Sequence, residues 1–270
     1  MEELLARLGV HDGTLAVGAL VAARVAPLTV LAPWLTLRRT PPILRSSVIL
    51  ALTVALTPLA AASADAATLD AADPLTFAAW TLREALVGAL FAVATALPLH
   101  ALDWSGRLVD TWRGASLAEV IAPPTGERTS PIGDLYLMMG VVSFLLLGGH
   151  RVAFAAFADA LVVAPVGRVD FVGSSDLLAL GVLRLSGSAL AFAASLAAPV
   201  AVAIVVVEIS LGLIARSAPQ VPVFFAGMPL RAATGLGASL AALSVVAGQL
   251  PEVFSSAIDI ARRWLTALAP

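Results

Sequence analysis

The chain has 270 residues, of which 60% are apolar and 13% charged, whereas an ordinary soluble domain carries roughly a quarter charged residues. With 16 basic and 18 acidic side chains there is too little polar surface to cover a soluble fold, so lipid or partner helices must cover the remainder. The net charge of −2 argues against a nucleic-acid partner, and the lack of cysteine removes disulfides, thiolate metal sites and cysteine nucleophiles.

Backbone polar groups in hydrocarbon must be satisfied internally, so a chain this apolar is expected to span as helices. Six apolar stretches, at about 14–37, 43–63, 75–102, 132–164, 176–211 and 222–250, each reach the ~20 residues that a crossing needs. The predicted fold is therefore all-α, a membrane-type bundle of about six long hydrophobic helices forming one domain over 1–270. The Met-Glu-Glu start has no positive flank, and the chain is read as mature. Arg38, Arg39 and Arg45 form a basic connector, and Asp65, Asp70 and Asp73 an acidic one. The positive-inside rule puts the basic connector in the cytoplasm. Continuing the alternation leaves Arg262 and Arg263 outside, against the rule, which points to a re-entrant hairpin or unconventional spans. Stretches 132–164 and 176–211 exceed one crossing, and Pro199 is expected to split or kink the second.

Two segments stand apart from the spans. Residues 103–131 carry charges of both signs, Gly106, Gly114, Gly126 and the pair Pro123-Pro124, and the region is too long for a simple turn. Residues 252–266 read as a short amphipathic helix at an interface, with Val253, Phe254, Ala257, Ile258 and Trp264 apolar and Asp259, Arg262 and Arg263 polar.

Arg24, Arg83, Glu84, Arg184 and Glu208 fall inside apolar stretches. A charge at mid-helix costs roughly 2.5–3.5 kcal/mol on insertion scales, so each is expected to face a bundle interior, a water-filled cavity or a partner. Structural pairing competes here with a proton or ion path. Glu84 with Gly88 and Glu208 with Gly212 share the spacing Glu-x-x-x-Gly, which puts both residues on one helix face. A small residue beside a carboxylate lets another backbone approach closely, which suits helix packing better than catalysis. Gly114-Ala115-Ser116 and Ser186-Gly187-Ser188 are fragments of nucleophile motifs without the glycine-framed serine and the histidine base that a protease needs. His11, His100 and His150 are not spaced as metal ligands. No catalytic, cofactor-binding or metal-binding residue is assigned, and the chain is not read as an enzyme.

The run from Gly106 through Asp110, Arg113 and Gly114 to Leu117, followed by Pro123, Pro124, Gly126 and Ser130-Pro131, resembles the central loop of the SctT family of type III secretion export proteins. A second block resembles the carboxy-terminal signature of that family and of its flagellar branch, FliR. It comprises Ala198-Pro199-Val200, Glu208-Ile-Ser-Leu-Gly212, Arg216, Pro219-Gln220, Phe224 and Met228-Pro229-Leu230-Arg231. Arg83-Glu84 with Gly88 and Gly149-His150 add echoes in the expected order, so the resemblance covers about residues 24–235. Asp110-x-x-Arg113-Gly114 and the Ser130-Pro131 ending are closer to the injectisome form than to the flagellar one. The chain departs from the family pattern at Ala122-Pro123-Pro124 and at Pro222.

The resemblance implies a bacterial inner-membrane export gate in the basal body. One copy joins several R-type and S-type subunits, with a U-type switch protein nearby and unfolded polypeptides as cargo. It implies kinked hairpins in place of plain spans and helices largely covered by sister subunits. It also makes 103–131 a plug loop, with Asp110, Arg113, Gly114, Leu117, Val120, Ile121, Pro123, Pro124 and Gly126 as its residues. Arg83, Glu84, Gly88, Pro199, Glu208, Gly212, Arg216, Pro219 and Gln220 become packing residues. A secondary transporter or channel acting alone is the competing reading, suggested by the intramembrane charges and broken helices.

Overall fold

The computed structural model describes residues 12–35, 41–65, 69, 72–114, 130–169, 171, 173, 175–220 and 222–269. The regular elements among them are helices: α1 (Asp12–Leu31), α2 (Pro42–Ser63), α3 (Pro74–Trp112), α4 (Pro131–Leu146), α5 (Gly149–Val163), α6 (Ser175–Ser217) and α7 (Val223–Ala267). Four of them are long and apolar enough to cross a membrane singly, namely Gly13–Leu31, Pro42–Ser63, Pro74–Trp112 and Ser175–Ser217. Counting α4 with α5, and the two parts of α7, as one broken span each gives up to six.

Local chemistry sets the helix starts. Proline opens α2, α3 and α4, at Pro42, Pro74 and Pro131, where a missing N–H costs nothing and the fixed φ suits the first turn. Ahead of α3, Asp73 accepts from the Thr76 hydroxyl and the Thr76 amide. The Thr76 side-chain bond, reinforced by its backbone bond, holds the Asp73 carboxyl below its usual 3.8. Ser130 caps α4, its hydroxyl accepting from Gly133 N at 3.1 Å. Between α4 and α5 the chain turns at Gly148, whose φ of 73° lies in the left-handed region that only glycine adopts freely. Six prolines lie inside helices: Pro27, Pro58, Pro98, Pro199, Pro229 and Pro251. Helices of this apolar kind tolerate them where neighbours satisfy the freed carbonyls.

The chain divides into two compact units. The first comprises residues 1–97, 148–185 and 254–270. Val17, Leu20, Val21, Val25 and Leu28 of α1 are buried in it with Val87 and Phe91 of α3 and Phe157 and Leu161 of α5. Phe91 meets Phe157 edge-on at 5.2 Å between ring centroids, the arrangement that aromatic quadrupoles favour. The second unit comprises residues 98–147 and 186–253, and in it Leu99, Leu102 and Val109 are buried with Ile132, Tyr136, Phe144, Val200 and Ile204. Tyr136 donates its hydroxyl to the Ser239 carbonyl at 3.1 Å, tying α4 to α7.

Three boundaries differ from the sequence reading. The polar segment 103–131 is helical as far as Trp112. Its charges fit a helix because Arg107 pairs with Asp103 one turn back, and its Gly106 is where α4 crosses. Pro199 lies within α6, which continues through it to Ser217 without a split. Residues 252–266 belong to the second part of α7, Val246–Ala267, and are not a helix of their own. Their amphipathic face is as expected, but Phe254, Ala257, Ile258 and Trp264 are buried in the first unit while Asp259, Arg262 and Arg263 are exposed. Trp264 lies over Gly181, where any Cβ would meet its indole nitrogen at 2.4 Å.

Candidate functional site

In the first unit a buried ion pair joins three helices. Arg24 of α1 and Glu84 of α3 are both fully buried, and the Arg24 Nε donates to Glu84 Oε2 at 2.5 Å. Arg24 also donates through one terminal nitrogen to the carbonyls of Ala164, at 3.0 Å, and Ala160, at 3.4 Å, at the end of α5. The second Glu84 oxygen accepts from Gly167 N at 2.9 Å. The pair therefore fixes two helices to the end of a third and to the turn that follows it. Gly88 makes this approach possible. A Cβ there would lie 1.9 Å from the Arg24 carbonyl oxygen, so the α1 backbone rests directly on the α3 face that carries Glu84.

Arg83, the neighbour of Glu84, is exposed, as is Arg184. Of the five intramembrane charges named from sequence, only Arg24 and Glu84 thus meet inside one bundle. Arg168 pairs with Asp65 at 2.9 Å at the surface of the same unit.

In the second unit Asp110 is a hub. Its Oδ2 accepts from the Ser130 hydroxyl at 2.6 Å and from Ile132 N at 3.0 Å, and its Oδ1 accepts from Arg113 Nε at 2.6 Å. Asp110 and Ser130 are both buried, while Arg113 is half-buried. One turn back, Gly106 lies against Gly133 so closely that a Cβ at 106 would stand 2.4 Å from Gly133 N. Gly114 ends α3 with φ 82°. Leu117, Val120, Ile121, Pro123, Pro124 and Gly126, the other residues of the expected loop, lie outside the described residues.

The carboxy-terminal block forms a different arrangement in the same unit. Glu208 of α6 accepts from Arg231 of α7 at 2.9 Å, and both side chains are partly exposed. Among the described residues, nothing lies within 4 Å of a Cβ placed on Gly212. Arg216, Pro219 and Gln220 are exposed around the end of α6, and so is Pro199. Val202, Val205, Val206, Ile209, Leu213 and Ile214 are exposed along the same helix.

Sequence reasoning missed several partners. In the sequence Ser130 stands out only as the end of a motif, and the Arg24 to Glu84 pairing spans sixty positions with no local signal. The Ser-Pro step before an apolar run, an N-cap followed by proline at N1, was the available cue for Ser130. Nothing in the sequence joins Gly106 to Gly133.

Residues 15–257 match the family described as bacterial export proteins, family 1. The chain belongs to that family. Among its family relatives, the flagellar biosynthetic protein FliR of Bacillus subtilis is 26% identical over 183 residues, 68% of this chain and 71% of the relative. Yop proteins translocation protein T of Yersinia pestis is 31% identical over 151 residues, 56% of this chain and 58% of its own length. The secretion system apparatus protein SsaT of Salmonella typhimurium is 29% identical over 148 residues, 55% of this chain and 56% of the relative. The chain thus spans little more than half the length of the two translocation and secretion relatives. All three constellations lie within the matched residues; the family is one of export proteins, and this chain has helices apolar enough to cross a membrane.

Proposed function

We propose that this chain is a subunit of the export gate of a type III protein secretion system in the bacterial inner membrane. In this reading it joins R-type and S-type subunits, and a U-type switch protein, around a conduit for unfolded polypeptides. The observation that carries the proposal is the family match over residues 15–257, which takes in both blocks of sequence resemblance. The surface supports it. Only 11% of the apolar window of α2 and 28% of that of α6 are buried within the chain, and α6 exposes Glu208, Ser210 and Arg216 among its valines and leucines. Although Glu208 pairs with Arg231 and the Ser210 hydroxyl bonds the Val206 carbonyl, exposed charges on an apolar helix are costly in hydrocarbon and less so against sister helices.

The injectisome branch is favoured by the Asp110-x-x-Arg113-Gly114 and Ser130-Pro131 motifs and by the 31% identity to the Yersinia protein. The flagellar branch is the second reading, favoured by the longer match to FliR. In either branch the segment between Asp110 and Ser130 serves as a plug. Apolar Leu117, Val120 and Ile121 would seal the conduit by excluding water. The family is known by export and not by a reaction, and no catalytic role is proposed.

Native gels of solubilised membranes test the assembly. The chain is expected to migrate with R-type and S-type subunits, and a stable, dispersed monomer indifferent to them would favour a lone transporter. Shortening 114–130 in a verified complex is expected to leak ions or small solutes, and unchanged permeability would remove the plug reading.

A further inference from the structure

The two ends of the segment 115–129 are held together by chemistry on this chain alone. Asp110 on α3 and Ser130 at the start of α4 bond directly, carboxylate to hydroxyl, at 2.6 Å. The same carboxylate takes the Ile132 amide, the Ser130 hydroxyl takes the Gly133 amide, and the Ser130 carbonyl takes the Asp134 amide. Pro131 has no amide to satisfy. Every amide in the first turn of α4 therefore has an acceptor, and the turn's positive end faces a carboxylate, as the helix dipole favours. Arg113, next to the last described residue of the α3 side, is tied to the other oxygen of Asp110.

Below this the backbones of α3 and α4 touch at Gly106 and Gly133, with no side chain between them. Asp103 adds to the crossing, its carboxylate lying 2.9 Å from where a Gly133 Cβ would stand. Opening the ends would take both the Ser130 hydroxyl and the Ile132 amide from Asp110 Oδ2, leaving the carboxylate only Arg113 and the amide no acceptor. Buried polar groups without partners are costly in low dielectric.

We propose that Asp110 is a positioning residue that keeps the two ends of segment 115–129 clasped throughout export, so that the segment acts with its feet fixed and passage of a substrate never parts them. The inference rests on the export-gate reading. It adds that the contact between the end of α3 and the start of α4 stays closed while a substrate passes.

The chain has no cysteine, which makes a covalent lock clean. In the assembled complex, Asp110→Cys with Ser130→Cys is oxidised with copper phenanthroline, bond formation is scored by thiol alkylation, and export is measured before and after reduction. Export in the locked complex is expected to remain within about twofold of the reduced complex. A tenfold or greater loss on locking, restored by reduction, would overturn the proposal, because the clasp would then have to open.

Should the cysteine pair fail to assemble, spin labels on Trp112→Cys and Pro131→Cys give a second reading. One narrow distance is expected both in the resting complex and with a stalled substrate. A second, longer distance with substrate present overturns the clasp. Asp110→Ala is expected to broaden the distance and Asp110→Asn, which keeps an acceptor oxygen, to restore most of it. Equal broadening in both variants at normal assembly counts against positioning by Asp110. Deletion of 115–129 separates the two ideas: unchanged permeability removes the plug but leaves the distance measurement to decide the clasp.

Discussion

Replacing Glu84 by alanine removes the carboxylate paired with Arg24 in a site where both side chains are fully buried. Arg24 then keeps only the Ala160 and Ala164 carbonyls, and Gly167 N loses its acceptor. Breaking one side of a buried pair costs about 3–5 kcal/mol, and an orphaned neutral amide about 1–3 kcal/mol. The two overlap, since one substitution causes both, and the first figure is the better guide. For a chain of this size it corresponds to roughly 6–20 °C in melting temperature, at about 2–4 °C per kcal/mol. Thermal unfolding in mild detergent measures it. Arg24→Met should cost a comparable amount, because it frees the carboxylate and the Ala164 carbonyl. The double variant should cost clearly less than the sum of the singles, with about 2 kcal/mol or more of coupling, since neither charge is then left unpaired. Additive costs in the double variant, or a Glu84→Ala protein melting with the parent, would refute the claim that the pair holds α1, α3 and the end of α5 together.

Further outcomes follow from the same geometry. Gly88→Ala drives a Cβ against the Arg24 carbonyl and should destabilise by about 1–3 kcal/mol or more, seen as a melting loss similar to that of Glu84→Ala and not additive with it. Tyr136→Phe removes the hydroxyl that reaches the Ser239 carbonyl and should cost about 1 kcal/mol in the same assay. Because the Asp73 carboxyl is held low by Thr76, its support of the α3 start is complete above the usual 3.8 and disappears as pH falls below that value through the folded value. Hydrogen exchange at the Thr76 amide should therefore accelerate below that point beyond its intrinsic rate, and Asp73→Ala should abolish the dependence. Glu208→Ala breaks a partly exposed pair worth no more than about 1 kcal/mol to the chain itself. Its larger effect should be lost co-purification with sister subunits, and normal co-purification with reduced export would contradict that assignment.

Periodicity and length made the helices legible. The six apolar stretches coincide with the helices to within a few residues at most starts, because proline and capping residues write those starts locally: Pro42, Asp73-Pro74 and Ser130-Pro131. Ends were harder. The helix α3 runs to Trp112 because Asp103 and Arg107 satisfy one another on its surface, so a change from apolar to charged composition did not mark its limit. The stretch 132–164 breaks at Gly148, where positive φ supplies the turn, whereas α6, with Pro199 inside it, does not break. Asp110 and Glu84 were legible as unusual residues, yet their partners lie 20, 60 and 83 positions away. Such pairing is fixed by how the helices cross, which no local pattern records.

The repeated Glu-x-x-x-Gly spacing shows where local pattern stops carrying information. At Glu84 and Gly88 the shared face is closed by α1, whose backbone occupies the place of the missing Cβ and whose arginine neutralises the carboxylate. At Glu208 and Gly212 the same spacing faces outward: the carboxylate is partly exposed and, among the described residues, nothing lies within 4 Å of a Cβ at 212. Placing Glu208 in hydrocarbon would be costly even when paired with Arg231, and the glycine invites a close backbone contact. If the first occurrence shows what this spacing does when a helix covers it, the second marks a face still to be covered by a helix from another chain. Gly212→Leu separates the two cases. It should leave the melting of the isolated chain nearly unchanged, because the site is open, and should abolish co-purification with sister subunits. A marked melting loss without loss of assembly would mean that the α6 face is closed by this chain itself.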